Sequence, residues 1–163
     1  YVTKDSILET HANGEMNYTL KGIPVKIIAR WDFKAAEGGD SHHAIIKGTK
    51  ATLEIRQGKK ENFKPVLYIL SSANNKNGFD SSVQSAIAAI AGKYPGVSAE
   101  KQGEEWKVVI PSTYGVGHEA HFGQVMERYL QYLKDGKLPE WEVPNMIAKY
   151  YTTTKALELA TQH

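Results

Sequence analysis

The sequence predicts an α+β fold, a mainly antiparallel β-sheet with α-helices packed on one face. Apolar residues recur every second position through the first half of the chain and at helical spacing through the second. No strand–helix–strand alternation of the kind that builds a parallel sheet interrupts that order. At 163 residues and 41% apolar composition, one ordinary domain, residues 1–163, can close its own core without disulfides.

Residues 6–12 and 15–21 flank Asn13-Gly14, a dipeptide that accepts the positive φ angles of a tight hairpin turn. Lys21-Gly22 leads on into the longest strand. From Ile23 to Phe33 the odd positions Ile23, Val25, Ile27, Ala29, Trp31 and Phe33 are all apolar, and the even ones include Lys26, Arg30 and Asp32. This strand is expected to be the structural centre, third in an antiparallel meander, with Pro24 tolerable at its start. After Lys34 to Glu37, the loop Gly38-Gly39-Asp40-Ser41-His42-His43 follows. A second hairpin pairs Ala44–Lys47 with Lys50–Gln57 through Gly48-Thr49. Next comes a charged turn, Gly58 to Asn62. Val66 to Leu70 is apolar on both faces, the pattern of a central strand. Across the predicted outer face, Lys26, Ile28, Arg30, Thr52, Glu54 and Arg56 mix apolar and charged side chains, which suits a homo-oligomer formed through the open sheet face.

A polar loop, 71–78, ends at Asp80-Ser81-Ser82, an N-cap for a helix carrying Val83, Ile87 and Ile90 and stopped by Gly92. Trp106–Ile110 reads as the last strand. The loop Thr113 to Gly117 opens a long helix whose stripe is Phe122, Val125, Met126, Tyr129 and Leu133, with Gly136 just past its end. Pro144 starts the final helix, marked by Ile147, Tyr150, Tyr151, Thr154 and Leu157.

The 20 basic and 18 acidic residues are dispersed, so no basic stripe argues for nucleic acid or an anionic membrane surface. The absence of cysteine excludes thiol chemistry and leaves the compartment open, cytoplasm being favoured over periplasm. No apolar run approaches the roughly 20 residues that span a bilayer. A first residue Tyr1 instead of methionine marks the chain as an expected piece of a longer protein.

Two groups could carry chemistry. Asp40, His42 and His43, with Trp31 shortly before them, offer a carboxylate, two imidazoles and an aromatic platform. Imidazole and carboxylate suit hydroxyl binding, acid–base work or a metal ion, and the plainer alternative is a solvated loop. At the start of the long helix, His118 and His121 are three residues apart and share a face, which their spacing from Phe122 turns toward the sheet. The two groups are expected to line one polyol pocket. The His-Glu-x-x-His zinc spacing is not met, since Glu119 lies between histidines only three apart, and a metal stays an alternative. Neither Gly-x-Gly-x-x-Gly nor a Gly-Lys-Ser/Thr phosphate loop occurs, so the chain is expected to bind no cofactor of its own.

Trp31-Asp32-Phe33, the Gly39-Asp40-Ser41-His42 loop, Ile46 to Leu53, His121-Phe122 and Asp135-Gly136-Lys137-Leu138-Pro139 together resemble the C-terminal domain of the glucose-fructose oxidoreductase, inositol dehydrogenase and MocA (Gfo/Idh/MocA) family. The likeness covers most of the chain and is greatest to the oxidoreductase C-terminal domains of Bacteroides-type bacteria. It implies an N-terminal Rossmann domain as partner, binding NAD or NADP and carrying a Glu-Lys-Pro catalytic lysine, and a sugar or polyol substrate. It assigns this chain the substrate side of the active site and oligomerisation. That family's Asp-x-x-x-His motif is not matched by Asp40 with His42 or His43, so no catalytic residue is assigned. The implied substrate-binding set is Trp31, Asp40, His42, His43, His118 and His121. Other readings are a stand-alone carbohydrate- or ligand-binding module and a structural assembly domain.

Overall fold

In a computed structural model, which describes residues 2, 4–6, 11–32, 34, 38–72 and 77–162, the chain is an α+β protein. Its described strands are all antiparallel and form two sheets, and the chain divides into two compact units, 34–120 and the combination of 1–33 with 121–163.

The unit 34–120 is built on a five-stranded sheet. Its strands are β3 (His42–Lys47), β4 (Ala51–Gln57), β5 (Val66–Ser71), β6 (Ser98–Gln102) and β7 (Glu105–Val109), in the order β3-β4-β5-β7-β6; β1 (Gly14–Leu20) and β2 (Ile23–Ala29) belong to the other unit. The doubly apolar strand β5 is central, as its composition predicts. Register places Leu53, Ile55, Ile69 and Trp106 on one face and Glu54, Arg56, Tyr68 and Lys107 on the other. Helix α1 (Phe79–Ile90) covers the apolar face: Phe79, Val83 and Trp106 are buried together, with Ala51, Ile69, Ile87 and Ala99 packed against them. Each large side chain so buried contributes roughly 1.5–3 kcal/mol. Helix α1 begins one turn earlier than predicted. Gly78 at φ 72° is its N-cap, and the Ser81 and Ser82 hydroxyls donate back to the Gly78 carbonyl at 2.9 Å each. Asp80 instead accepts from the Trp106 indole at 2.9 Å and pairs with Lys101, so the helix start pins the core tryptophan. Strand β6 has a single apolar residue, Ala99, and its sequence carries no alternation that would have identified it.

The other unit contains the hairpin β1 (Gly14–Leu20) and β2 (Ile23–Ala29), and helices α2 (His118–Asp135, whose first three residues fall in the unit 34–120) and α3 (Glu142–Ala160). The expected long central strand is corrected on two counts. It ends at Ala29, and it belongs to a separate two-stranded sheet in which Ile27 is 42% exposed. The turn between β1 and β2 is at Lys21-Gly22, where φ is 50° and 80°, as the predicted meander requires; the predicted hairpin at Asn13-Gly14 involves residues 7–10, outside the described residues. Asn13 closes the open end by accepting the Trp31 backbone N–H at 2.7 Å. It follows that Lys26, Ile28 and Arg30 do not share a sheet with Thr52, Glu54 and Arg56. Residues 7–10 of the predicted first strand, the end of the predicted long strand at Phe33, and parts of the loops at 35–37 and 73–76 lie outside the described residues. Helix α2 ends where predicted, with Gly136 at φ 64°. Its stripe of Phe122, Val125, Met126, Tyr129 and Leu133 is exposed, and neither α2 nor α3 has a buried residue.

Candidate functional site

The loop ahead of β3 carries the first predicted group. Asp40 is exposed, and its backbone carbonyl accepts from the Gln57 side chain at 3.2 Å. Strand pairing sets His42 opposite Gln57 and His43 opposite Arg56, and alternation sends the two imidazoles to opposite faces of the sheet. His43 lies on the face without α1, where its Nε2 is 3.5 Å from the Glu54 carboxylate.

That contact joins His43 to a network the sequence reading did not find. Arg56 Nε donates to Glu54 at 2.8 Å and Nη1 to Glu105 at 2.8 Å, while its guanidinium lies 4.4 Å from the centre of the Tyr68 ring. Tyr68, 3% exposed, donates its hydroxyl to Glu61 at 3.3 Å. Hydrogen bonding from Arg56 holds the Glu54 carboxyl below the usual range against the opposing effect of burial, with His43 adding to the lowering. Burial would lower the Arg56 value, but Glu54 and Glu105 outweigh it and raise it; burial and the adjacent Glu61 push the Tyr68 phenol up. Alternation alone pairs Glu54 with Arg56. Glu105 is more than forty residues away, and only the insertion of β5 between β4 and β7 brings it into reach.

The second predicted group is at the start of α2. Gly117, at φ 81°, turns the chain into the helix, and both His118 and His121 are exposed, not turned from water as their spacing predicts. His121 borders a groove of about 570 Å³ between α2 and α3, lined mainly by apolar surface that includes Val125, Tyr129, Leu138 and Met146, with Arg128 and Glu142 at its polar margin. Trp31 is 78% exposed beyond the end of β2, an indole face open to a ligand. The six predicted residues divide between the units: Trp31 and His121 in one, Asp40, His42, His43 and His118 in the other.

Among the described residues no three His, Asp or Glu side chains gather closely enough to hold a metal ion, and no helix is long and apolar enough to cross a membrane. The described strands pair antiparallel without a βαβ crossover.

A family model described as "Putative oxidoreductase C terminal domain" matches residues 1–161. The chain is also similar to the crystal structure of a putative oxidoreductase from Parabacteroides merdae ATCC 43184, with 44% sequence identity and a TM-score of 0.88. The match covers 98% of this chain and 37% of that one. No curated protein matches the chain.

Proposed function

The chain belongs to this family of oxidoreductase C-terminal domains, and from that premise we propose that it is the substrate-side and oligomerisation domain of an NAD(P)-dependent oxidoreductase acting on a sugar or polyol. The observation that carries the reading is the extent of the structural match: nearly all of this chain corresponds to little more than a third of an oxidoreductase. An antiparallel sheet without a nucleotide cradle needs a second domain for hydride chemistry, and we assign that role to an N-terminal Rossmann domain of the full-length protein, as in the Gfo/Idh/MocA family.

In this reading the chain's own residues bind and orient the substrate. The Asp40 carboxylate accepts hydrogen bonds from sugar hydroxyls, and either His42 or His43, whose imidazoles leave opposite faces of the sheet, offers ring nitrogens as further partners. Each hydroxyl removed from water must keep a partner, which is why a polyol site is dense in such groups. Of the other residues proposed to bind substrate, Trp31 offers an exposed indole face, His118 opens α2 and His121 borders the groove between α2 and α3, each within its own unit.

The test is a pair of calorimetric titrations with NAD(H) and NADP(H), one on the 163-residue chain and one on the full-length protein. Binding by the full-length protein only is expected. Binding by the chain alone tighter than about 0.1 mM, roughly −5.5 kcal/mol, would overturn the division of labour. Reduction of NAD or NADP by the full-length protein across a panel of aldoses and cyclitols then reads the substrate class.

A further inference from the structure

The segment Gly38–Ser41 has two glycines and an exposed acid, yet it is held on both sides by the connection between β4 and β5. Gly39 has φ 91°, and a Cβ on it would lie 2.6 Å from Cγ and 2.7 Å from Cδ1 of Phe63. Its backbone therefore rests directly on the phenyl ring. Phe63 follows the single helical turn Lys59–Glu61 and is itself left-handed at φ 56°, next to Asn62 at φ 52°. A bulky residue in that region is strained, and here the Phe63 N–H is fixed by the Gly58 carbonyl at 2.8 Å. Gln57, which ends β4 and is the register partner of His42, reaches over to the Asp40 carbonyl at 3.2 Å. Ring and amide thus grip the residues on either side of the Gly39–Asp40 bond.

We propose that Phe63 and Gln57 form a latch that fixes the Gly39–Asp40 backbone and so presents Asp40 to the substrate, Phe63 being a positioning residue that need not touch the sugar. This rests on the reading of that loop as a sugar or polyol site. An unlatched double-glycine segment samples many conformations. A ligand that binds it must then supply the ordering free energy itself, which appears as weaker affinity at unchanged chemistry. Phe63→Ala removes the ring from under Gly39 and leaves every hydroxyl-binding group in place.

The experiment compares the full-length wild type with Phe63→Ala, Gln57→Ala and Phe63→Tyr. It measures hydrogen–deuterium exchange of the peptide 38–45 and steady-state kinetics with D-glucose and myo-inositol as probes. The expected result for Phe63→Ala is faster exchange in that peptide, unchanged protection of peptides from α1 and β7, and KM raised about ten-fold with kcat nearly constant. Phe63→Tyr should restore both, and Gln57→Ala should shift both in the same direction by less. Unchanged exchange at 38–45 would overturn the latch, and faster exchange with unchanged KM would overturn its role in positioning. Should Phe63→Ala also loosen α1, Gln57→Ala decides between the same two outcomes. If the wild type neither binds nor oxidises any polyol, the functional reading and the positioning role fall together, while the exchange measurement still decides whether the loop is latched.

Discussion

Arg56 is the residue on which the face of the larger sheet opposite α1 depends. It bridges two carboxylates from strands on either side of β5 and covers the ring of Tyr68. Replacing it leaves Glu54 and Glu105 facing each other without a cation on a half-buried surface, so Arg56→Met is expected to cost about 2 kcal/mol in urea unfolding. The pH dependence follows from Glu54. Its carboxyl is held down in the folded state, so the unfolded chain binds its proton more readily. The stability it contributes is complete above the ordinary carboxylate range and is lost as pH falls through that range toward the folded value. In Arg56→Met the acid limb of the stability profile should flatten; an unchanged limb would mean that other carboxylates govern acid unfolding. Alternation in β4 makes Glu54 and Arg56 neighbours from sequence alone. Their meeting with Glu105 and Tyr68 is a property of strand order, which no local pattern encodes.

At the level of single elements, the expected centre and the observed one differ. The run Ile23–Phe33 has the longest alternation, yet β2 pairs only with β1 and its Ile27 is nearly half exposed. Ile27→Asp is therefore expected to cost less than about 1 kcal/mol, whereas Val83→Asp, placing a charge at a site 3% exposed on the buried side of α1, should cost several. Thermal unfolding of the two variants side by side distinguishes them, and equal losses would show that the hairpin is as deeply integrated as the α1 core. Lys26→Asp removes an exposed pair with Glu15 at 2.6 Å and should leave thermal unfolding nearly unchanged. Alternation reports that a strand has one apolar face; it does not report what covers that face.

For the molecule as a whole, we expect association of the full-length protein through the face of the larger sheet opposite α1. Ile45, opposite Glu54 in the register, is exposed there beside the Arg56 network. Light scattering should give at least a dimer, and Ile45→Asp should lower the average mass; a strict monomer at high concentration would refute the assembly role. The chain by itself determined the α+β class, the central place of β5, the hairpin β3–β4, the end of α2 at Gly136 and the family likeness. Each is written in short-range periodicity, in glycine conformations or in motifs that keep their order along the chain. Only the tertiary structure decided that β2 stands in a separate sheet, that polar β6 is a strand, that Glu105 reaches Arg56 and that Phe63 supports Gly39. These depend on which strands become neighbours and on the conformations that side chains adopt across loops. Such choices are made by long-range packing, where residues far apart in sequence compete for the same partner and no local window holds the outcome.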